Sequence, residues 1–250
     1  MLRLAQMLRP ALAPRYEGEQ APMSNTPVPL TLHLDLSPTP YATAQQAFAD
    51  PAAFVHAKGA QALLWCVQHT PVYTLGMSAR HDHLHRTGDI PVVVTERGGS
   101  ATWHGPGQLL LYPLLPLRAL GLGMRDVIHS LESAAIDTAR HWGRTAWAGS
   151  ATAPGVFTEE GKLASIGLRY RNGWTSHGMA INICNSLAPF EGIDPCGHAG
   201  QPMARLLSAS DGMLNATHLA AIATRLMHAF ARELAARCST MAPTPRFALQ

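Results

Sequence analysis

Residues 90–115 read IPVVVTERGGSATWHGPGQLLLYPLL, two strand-forming runs with an unlike segment between them. Ile90 to Thr95 and Gln108 to Leu115 are short, apolar and rich in β-branched or aromatic side chains, as buried strands are. Arg97 to Gln108 carries four glycines and a proline in twelve residues. That composition predicts a loop too rich in glycine for helix or strand, whose backbone can approach a ligand closely and form a pocket wall.

Outward from this segment, helix and strand signals are interspersed. Tyr41 to Lys58 is alanine-rich and reads as helix interrupted at Pro51, and Gln61 to His69 reads as a strand followed by a proline-containing connection. Met124 to Trp142 places Val127, Leu131, Ala134, Ala135 and Thr138 at helical spacing, with Gly143 placed to end the helix. Val156–Phe157, Lys162–Tyr170 and Gly178–Asn185 read as strands, the first two joined by the turn Thr158-Glu159-Glu160-Gly161. A loop from Glu191 to Gly200 leads to a closing helix from about Asn215 to Arg237. The regular strand–helix alternation of a doubly wound fold is missing, so the reading is α+β, with a mixed, largely antiparallel sheet flanked by helices. Residues 1–29 are expected to form a disordered N-terminal extension, 30–240 one catalytic domain and 241–250 a flexible tail. The first 30 residues, with Arg3, Arg9 and Arg15 and no acid before Glu17, also fit an organelle-targeting peptide or an overlong start preceding Met23.

Composition narrows the function. Hydrophobic residues make up 47% of the 250 and charged residues 14%, which suits a globular chain. The net charge is +3 and the arginines are dispersed, which argues against nucleic acid as principal partner. No apolar run reaches the roughly 18 residues of a spanning helix, so no membrane role is expected. Cys66, Cys184, Cys196 and Cys238 lie far apart without a CxxC pair, which suits a reduced, cytoplasmic compartment better than a disulfide framework or a zinc site. No phosphate loop or dinucleotide fingerprint occurs, and no cofactor is expected.

Two residues stand out chemically. Cys196 lies in Ile193-Asp194-Pro195-Cys196-Gly197, between a proline and a glycine in an accessible turn, whereas Cys66 and Cys184 lie in apolar, strand-like runs and Cys238 ends a helix. If one thiol is a nucleophile, it is Cys196. Lys162 is one of only two lysines, with Lys58, against seventeen arginines. A lysine in such a chain points to a task that guanidinium cannot perform, such as losing a proton. His81, His83 and His85 alternate and invite a metal reading, but alternation alone does not supply converging ligands, and a solvated loop is favoured.

Three linked motifs, RGGSATWHGPGQLLLYPLLPL, APGVFTEEGKLASIGLR and TSHGMAINICNSLAPFEGIDPCG, give the chain a resemblance to the lipoyl(octanoyl) transferases from about Leu32 to Ser208. The resemblance implies a fold related to the biotin and lipoate protein ligases with a deep acyl pocket. It implies that Cys196 is acylated and tuned by Lys162. It places Arg97, Gly98, Gly99, Ser100, Ala101, Thr102, Trp103 and His104 at the substrate, with Ser165, Ile166 and Gly167 and with Gly178, Met179 and Ala180. It implies octanoyl-acyl carrier protein as donor, and as acceptors the lipoyl domains of 2-oxoacid dehydrogenase complexes and the glycine cleavage H protein. An ATP-dependent lipoate or biotin ligase and a non-catalytic acyl- or lipoyl-binding module are the alternatives. The sequence departs from the family in HAGQPMARLLS after PCG, which lacks the usual threonine–serine pair, and in TSHG, where an aromatic is more usual.

Overall fold

In the computed structural model, which describes residues 28–80, 83–195, 197–207, 216–241 and 247–249, the strands on either side of the glycine-rich segment belong to different sheets. The strands are β1 (Val28–Thr39), β2 (Ala62–His69), β3 (Val72–Leu75), β4 (Val92–Val94), β5 (Ala101–His104), β6 (Gln108–Leu114), β7 (Trp147–Ser150), β8 (Ala153–Thr158), β9 (Gly161–Arg171), β10 (Trp174–Asn182) and β11 (Phe247–Leu249). The helices are α1 (Tyr41–Ala49), α2 (Pro51–Ala57), α3 (Leu117–Leu120), α4 (Met124–His141) and α5 (Ala216–Met241). The larger sheet runs β11-β1-β2-β6-β10-β9-β8-β7, and the smaller one β4-β3-β5. In the larger sheet β1 is parallel to β2 and β11, and every other pairing is antiparallel. The α+β reading with a mixed, largely antiparallel sheet therefore holds.

Strand alternation sorts the core into two layers. Ala62, Leu64 and Cys66 of β2, Leu109 and Leu111 of β6, and Met179 and Ile181 of β10 face α4 and α5, where they meet Val127, Leu131, Ala135, Leu226 and Phe230. Leu63, Trp65, Val67, Leu110, Tyr112 and Ala180 face the opposite way, against Ala44, Ala47 and Val55 of α1 and α2. Both faces of the central strands are covered, so they read as unbroken apolar runs. Each fully buried leucine among them contributes about 1.5–3 kcal/mol. Asp50 separates α1 from α2 and caps the latter by accepting from Ala53 N, with Pro51 at the first helical position.

Three elements depart from the sequence reading. The glycine-rich segment contains a strand: Ala101 to His104 are four consecutive non-glycine residues, and they pair antiparallel with β3, itself inside the expected connection. β1 begins at Val28, within the segment assigned to the extension, and Leu30-Thr31-Leu32-His33-Leu34-Asp35-Leu36 shows the alternation of a strand. The C-terminal segment, expected to be a flexible tail, contributes β11, with Val28 opposite Phe247 and Leu30 opposite Leu249.

Candidate active site

Arg97 organises one wall. Its side chain is 8% exposed. Nε donates to Thr74 Oγ1 at 3.1 Å, Nη2 to the carbonyls of Thr74 and Ser100 at 2.6 Å each, and Nη1 to the Gly98 carbonyl at 3.0 Å. The guanidinium thus holds the start of the glycine-rich segment onto β3. Gly167 of β9 permits this: a Cβ there would stand 2.7 Å from the Gly98 carbonyl oxygen and 3.4 Å from Arg97 Cδ, and Gly98 N donates to Leu168 O at 3.0 Å.

A buried polar chain continues from this wall. Thr74 Oγ1 accepts from Arg97, so its own hydrogen goes to His104 Nε2, 3.2 Å away. That assigns the ring proton of neutral His104 to Nδ1, which donates to Gln108 Oε1 at 2.8 Å. Gln108 Nε2 donates to Asn182 Oδ1 at 2.9 Å, and Asn182 Nδ2 donates to Ala204 O at 2.9 Å. Each buried member named has a partner, which makes such a network rigid rather than costly.

Between this wall and β9 and β10 lies a narrow cleft of about 40 Å3. Twelve of the fourteen residues expected at the substrate line it: Arg97, Gly99, Ser100, Ala101, Thr102 and His104, then Ser165, Ile166, Gly167, Gly178, Met179 and Ala180. The other two do not. Alternation along β5 turns Trp103 to the far side, where it packs edge-on against Phe190 at 5.8 Å. Gly98 stands behind the wall, tied to Leu168 and Arg97.

The rest of the lining was not singled out from sequence: Tyr41, Leu110, Tyr112 and His177. His69 supports them, donating from Nδ1 to Thr39 O at 3.0 Å and accepting at Nε2 from the Tyr112 hydroxyl at 2.8 Å. Tyr41 stacks on His104 and places its hydroxyl 3.4 Å from His177 Nδ1. Burial pushes His69 down to about 4, against the Thr39 carbonyl bond. Burial, reinforced by neighbouring His69, Arg97 and His177, takes His104 down to about 3. His177 falls to about 3 through burial and the charges of Arg97 and Arg169. Burial also raises Tyr41 to about 12 and Tyr112 well above its ordinary value. All five groups are uncharged near neutral pH, which leaves Arg97 as the charged member of the lining. His177 holds a φ of 59° within β10, a left-handed conformation that costs a non-glycine residue about 1–2 kcal/mol and is typical of functional sites.

Cys196 lies outside the described residues, but its neighbours do not. Pro195 forms a parallel bridge with Ala101, and a Cβ on Gly197 would come within 3.5 Å of Ser100 Cβ and Oγ. Farther on, the same loop is bonded to Lys162: Lys162 N donates to Pro202 O and Ala204 N to Lys162 O, both at 2.9 Å. The Lys162 side chain is 3% exposed, with Nζ 5.2 Å from the centroid of the Phe157 ring. Gly155 makes room for it, since a Cβ there would stand 2.9 Å from Lys162 Cε. Cys66 and Cys238 are fully buried, Cys66 with its thiol pushed up to about 12, and half-buried Cys184 sits just past β10 with its thiol raised by burial. Among the described residues no three His, Cys, Asp or Glu side chains are grouped to hold a metal, and no helix is long and apolar enough to cross a membrane.

The sequence pattern of the lipoyl protein ligase A/B catalytic domain matches residues 44–231. An octanoyltransferase of Chromohalobacter salexigens is 42% identical, over 87% of this chain and 96% of its own length. The chain belongs to the octanoyltransferases of this family. An octanoyltransferase of Cellvibrio japonicus is 43% identical over 71% of this chain and 81% of its own. Among solved structures, lipoate-protein ligase A bound with ATP superimposes with a TM-score of 0.62 at 13% identity, covering 89% of this chain and 87% of that one. The bipartite lipoate protein ligase of Thermoplasma acidophilum gives 0.59 at 13% identity, covering 90% and 86%. The octanoyltransferase chain shares the ligases' fold.

Proposed function

We propose that this chain transfers octanoyl from acyl carrier protein to a lysine of lipoyl domains, those of 2-oxoacid dehydrogenase complexes and the glycine cleavage H protein, through a thioester on Cys196. The observation that carries this reading is the anchoring of the cysteine loop. It leaves the cleft wall at Ala101 and Ser100 and reaches the backbone of Lys162 within a few residues. A thiol on that loop and an ammonium at its far anchor are the two groups that thioester exchange needs.

An unperturbed thiol of pKa about 8.5 is only a few per cent thiolate at neutral pH, and a nearby ammonium raises that fraction. The Cys196 thiolate attacks the thioester carbonyl of the donor, giving a tetrahedral oxyanion for backbone amides of the glycine-rich segments to stabilise. The carrier thiolate leaves with a proton taken from the Lys162 ammonium, and octanoyl-Cys196 remains. Thioester is exchanged for thioester at little cost, so loading requires no ATP. The amide formed with the acceptor lysine is more stable than the thioester and drives the second half-reaction. Lys162 serves as the proton-transfer group of the dyad, and the two half-reactions give ping-pong kinetics.

Incubation with octanoyl-carrier protein in the absence of nucleotide is expected to add the mass of one octanoyl group at Cys196. Cys196→Ser is expected to lose transfer by roughly a thousandfold or more. Full activity in that variant, or strict dependence on ATP and free octanoate, would overturn covalent transfer and favour a ligase.

A further inference from the structure

The run His81-Asp82-His83-Leu84-His85 has no part in the chemistry above. His81 and Asp82 lie outside the described residues, and the two histidines that follow reach different partners. His85 Nε2 stands 2.8 Å from Asp194 Oδ1. The backbone is joined to the segment leading into Cys196: Asp194 N donates to His83 O at 2.9 Å, His85 N donates to Gly192 O at 2.8 Å, and Leu84 bridges Ile193.

His83 is half-buried, and its Nδ1 lies 2.5 Å from the hydroxyl oxygen of Ser100, a residue of the cleft wall. Arg80 N–H donates to the same Nδ1 at 3.2 Å. Nδ1 is therefore the lone-pair nitrogen of the neutral ring, and the Ser100 hydroxyl is the donor in the shorter bond. Gly197, next to the proposed nucleophile in sequence, faces both: a Cβ there would stand 3.4 Å from His83 Cε1 and 3.5 Å from Ser100 Oγ. A hydroxyl bonded to an imidazole, at the wall of an acyl cleft and beside the cysteine loop, is the arrangement of a proton relay.

We propose that His83 is a positioning residue for the amine-transfer half-reaction, acting through Ser100. The inference rests on the thioester reading above. The acceptor lysine arrives as an ammonium and must lose a proton before it attacks. That proton passes to Ser100 Oγ as the serine's own proton moves to His83 Nδ1. The C–N bond then forms, the C–S bond to Cys196 breaks, and the second proton of the nitrogen passes to Lys162, restoring the thiolate–ammonium pair from which loading began. The imidazolium returns its proton to solvent.

The test uses the full chain and its His83→Asn variant, which keeps an acceptor for Ser100 and for Arg80 N–H but is no base. Each is loaded with octanoyl-carrier protein, the adduct on Cys196 is verified by mass, and discharge is timed with a lipoyl-domain lysine and with hydroxylamine, which is already unprotonated at neutral pH. The variant is expected to load normally, to discharge to lysine about a hundredfold more slowly, and to discharge to hydroxylamine at the wild-type rate. Ser100→Ala removes the hydroxyl that joins the relay and is expected to lower the ratio of lysine discharge to hydroxylamine discharge in the same direction. Undiminished discharge to lysine in His83→Asn overturns the relay, and so does an equal fall with both nucleophiles, which marks a purely structural role. Failure of both variants to load also overturns it. If the wild-type chain itself forms no adduct, it is the thioester reading that fails, and the relay falls with it.

Discussion

The wall built on Arg97 and the loop that carries Cys196 meet at one cleft but are held by different means. The wall is a closed network of buried side chains, in which the guanidinium and the Thr74, His104, Gln108 and Asn182 side chains each have named partners. The loop is fastened by backbone contacts at its two ends and by the His85–Asp194 pair at its entrance. The cations follow the same division. Arg97 makes a rigid, permanently charged fork that organises carbonyls, whereas Lys162 carries a single amine and its backbone anchors the loop. A buried cation beside a cleft is not in itself a catalytic group; what it binds decides.

Substituting each cation separates the two roles most sharply. Lys162→Arg keeps the charge but cannot yield a proton, and is expected to lower kcat/KM for octanoyl transfer about a thousandfold. Wild-type kinetics in that variant would remove Lys162 from proton transfer. Arg97→Lys is expected to act on stability instead. It loses the fork that joins Thr74, Gly98 and Ser100, and should lower unfolding free energy by about 2–3 kcal/mol, read as a shifted urea midpoint at unchanged slope. If activity collapses while the midpoint stays put, Arg97 belongs with the reacting groups.

The smallest effect concerns the neutral histidines behind the wall. His69, His104 and His177 are held down to about 4, 3 and 3 in the folded chain, against about 6.5 when unfolded. Between those values the unfolded chain binds protons that the native chain refuses. Their contribution to stability is therefore complete above about pH 6.5 and is lost as the pH falls toward 4 and then 3. His104→Gln removes one of the three, so stability measured from pH 6 to 4 should fall less steeply, by about 1.4 kcal/mol per pH unit. An unchanged slope would mean that His104 is protonated in the native state.

Much of this arrangement was legible in the sequence wherever one local signal sufficed. The apolar runs around Leu110 and Leu64, the helical spacing from Val127 to Thr138, and the turn at Glu159-Glu160-Gly161 all read correctly because each is set by its own neighbours. β5 was hidden because four ordinary residues lie among glycines, and only pairing with β3 makes them a strand. The alternation from Leu30 to Leu36 marks β1, whose first residues lie inside the expected extension. Most of the cleft lining came from matching motifs. Tyr41, Tyr112 and His177 are hidden in the sequence because their importance arises from convergence: a helix start, a central strand and a strained position in β10 come together around the Phe48 ring. Trp103 was misplaced because a contiguous motif does not say which face of a strand each member occupies.

The scarcity of lysine has one further consequence. Lys162 is shut away under Phe157, and the only other primary side-chain amine, Lys58, sits at the end of α2 with its Nζ 5.1 Å from the centroid of the Phe54 ring. On the proposed thioester mechanism, a protein that carries an activated acyl group meant for amines on another molecule presents almost none of its own. Few copies would inactivate their neighbours by labelling them, because arginine supplies the surface charge without offering a nucleophile.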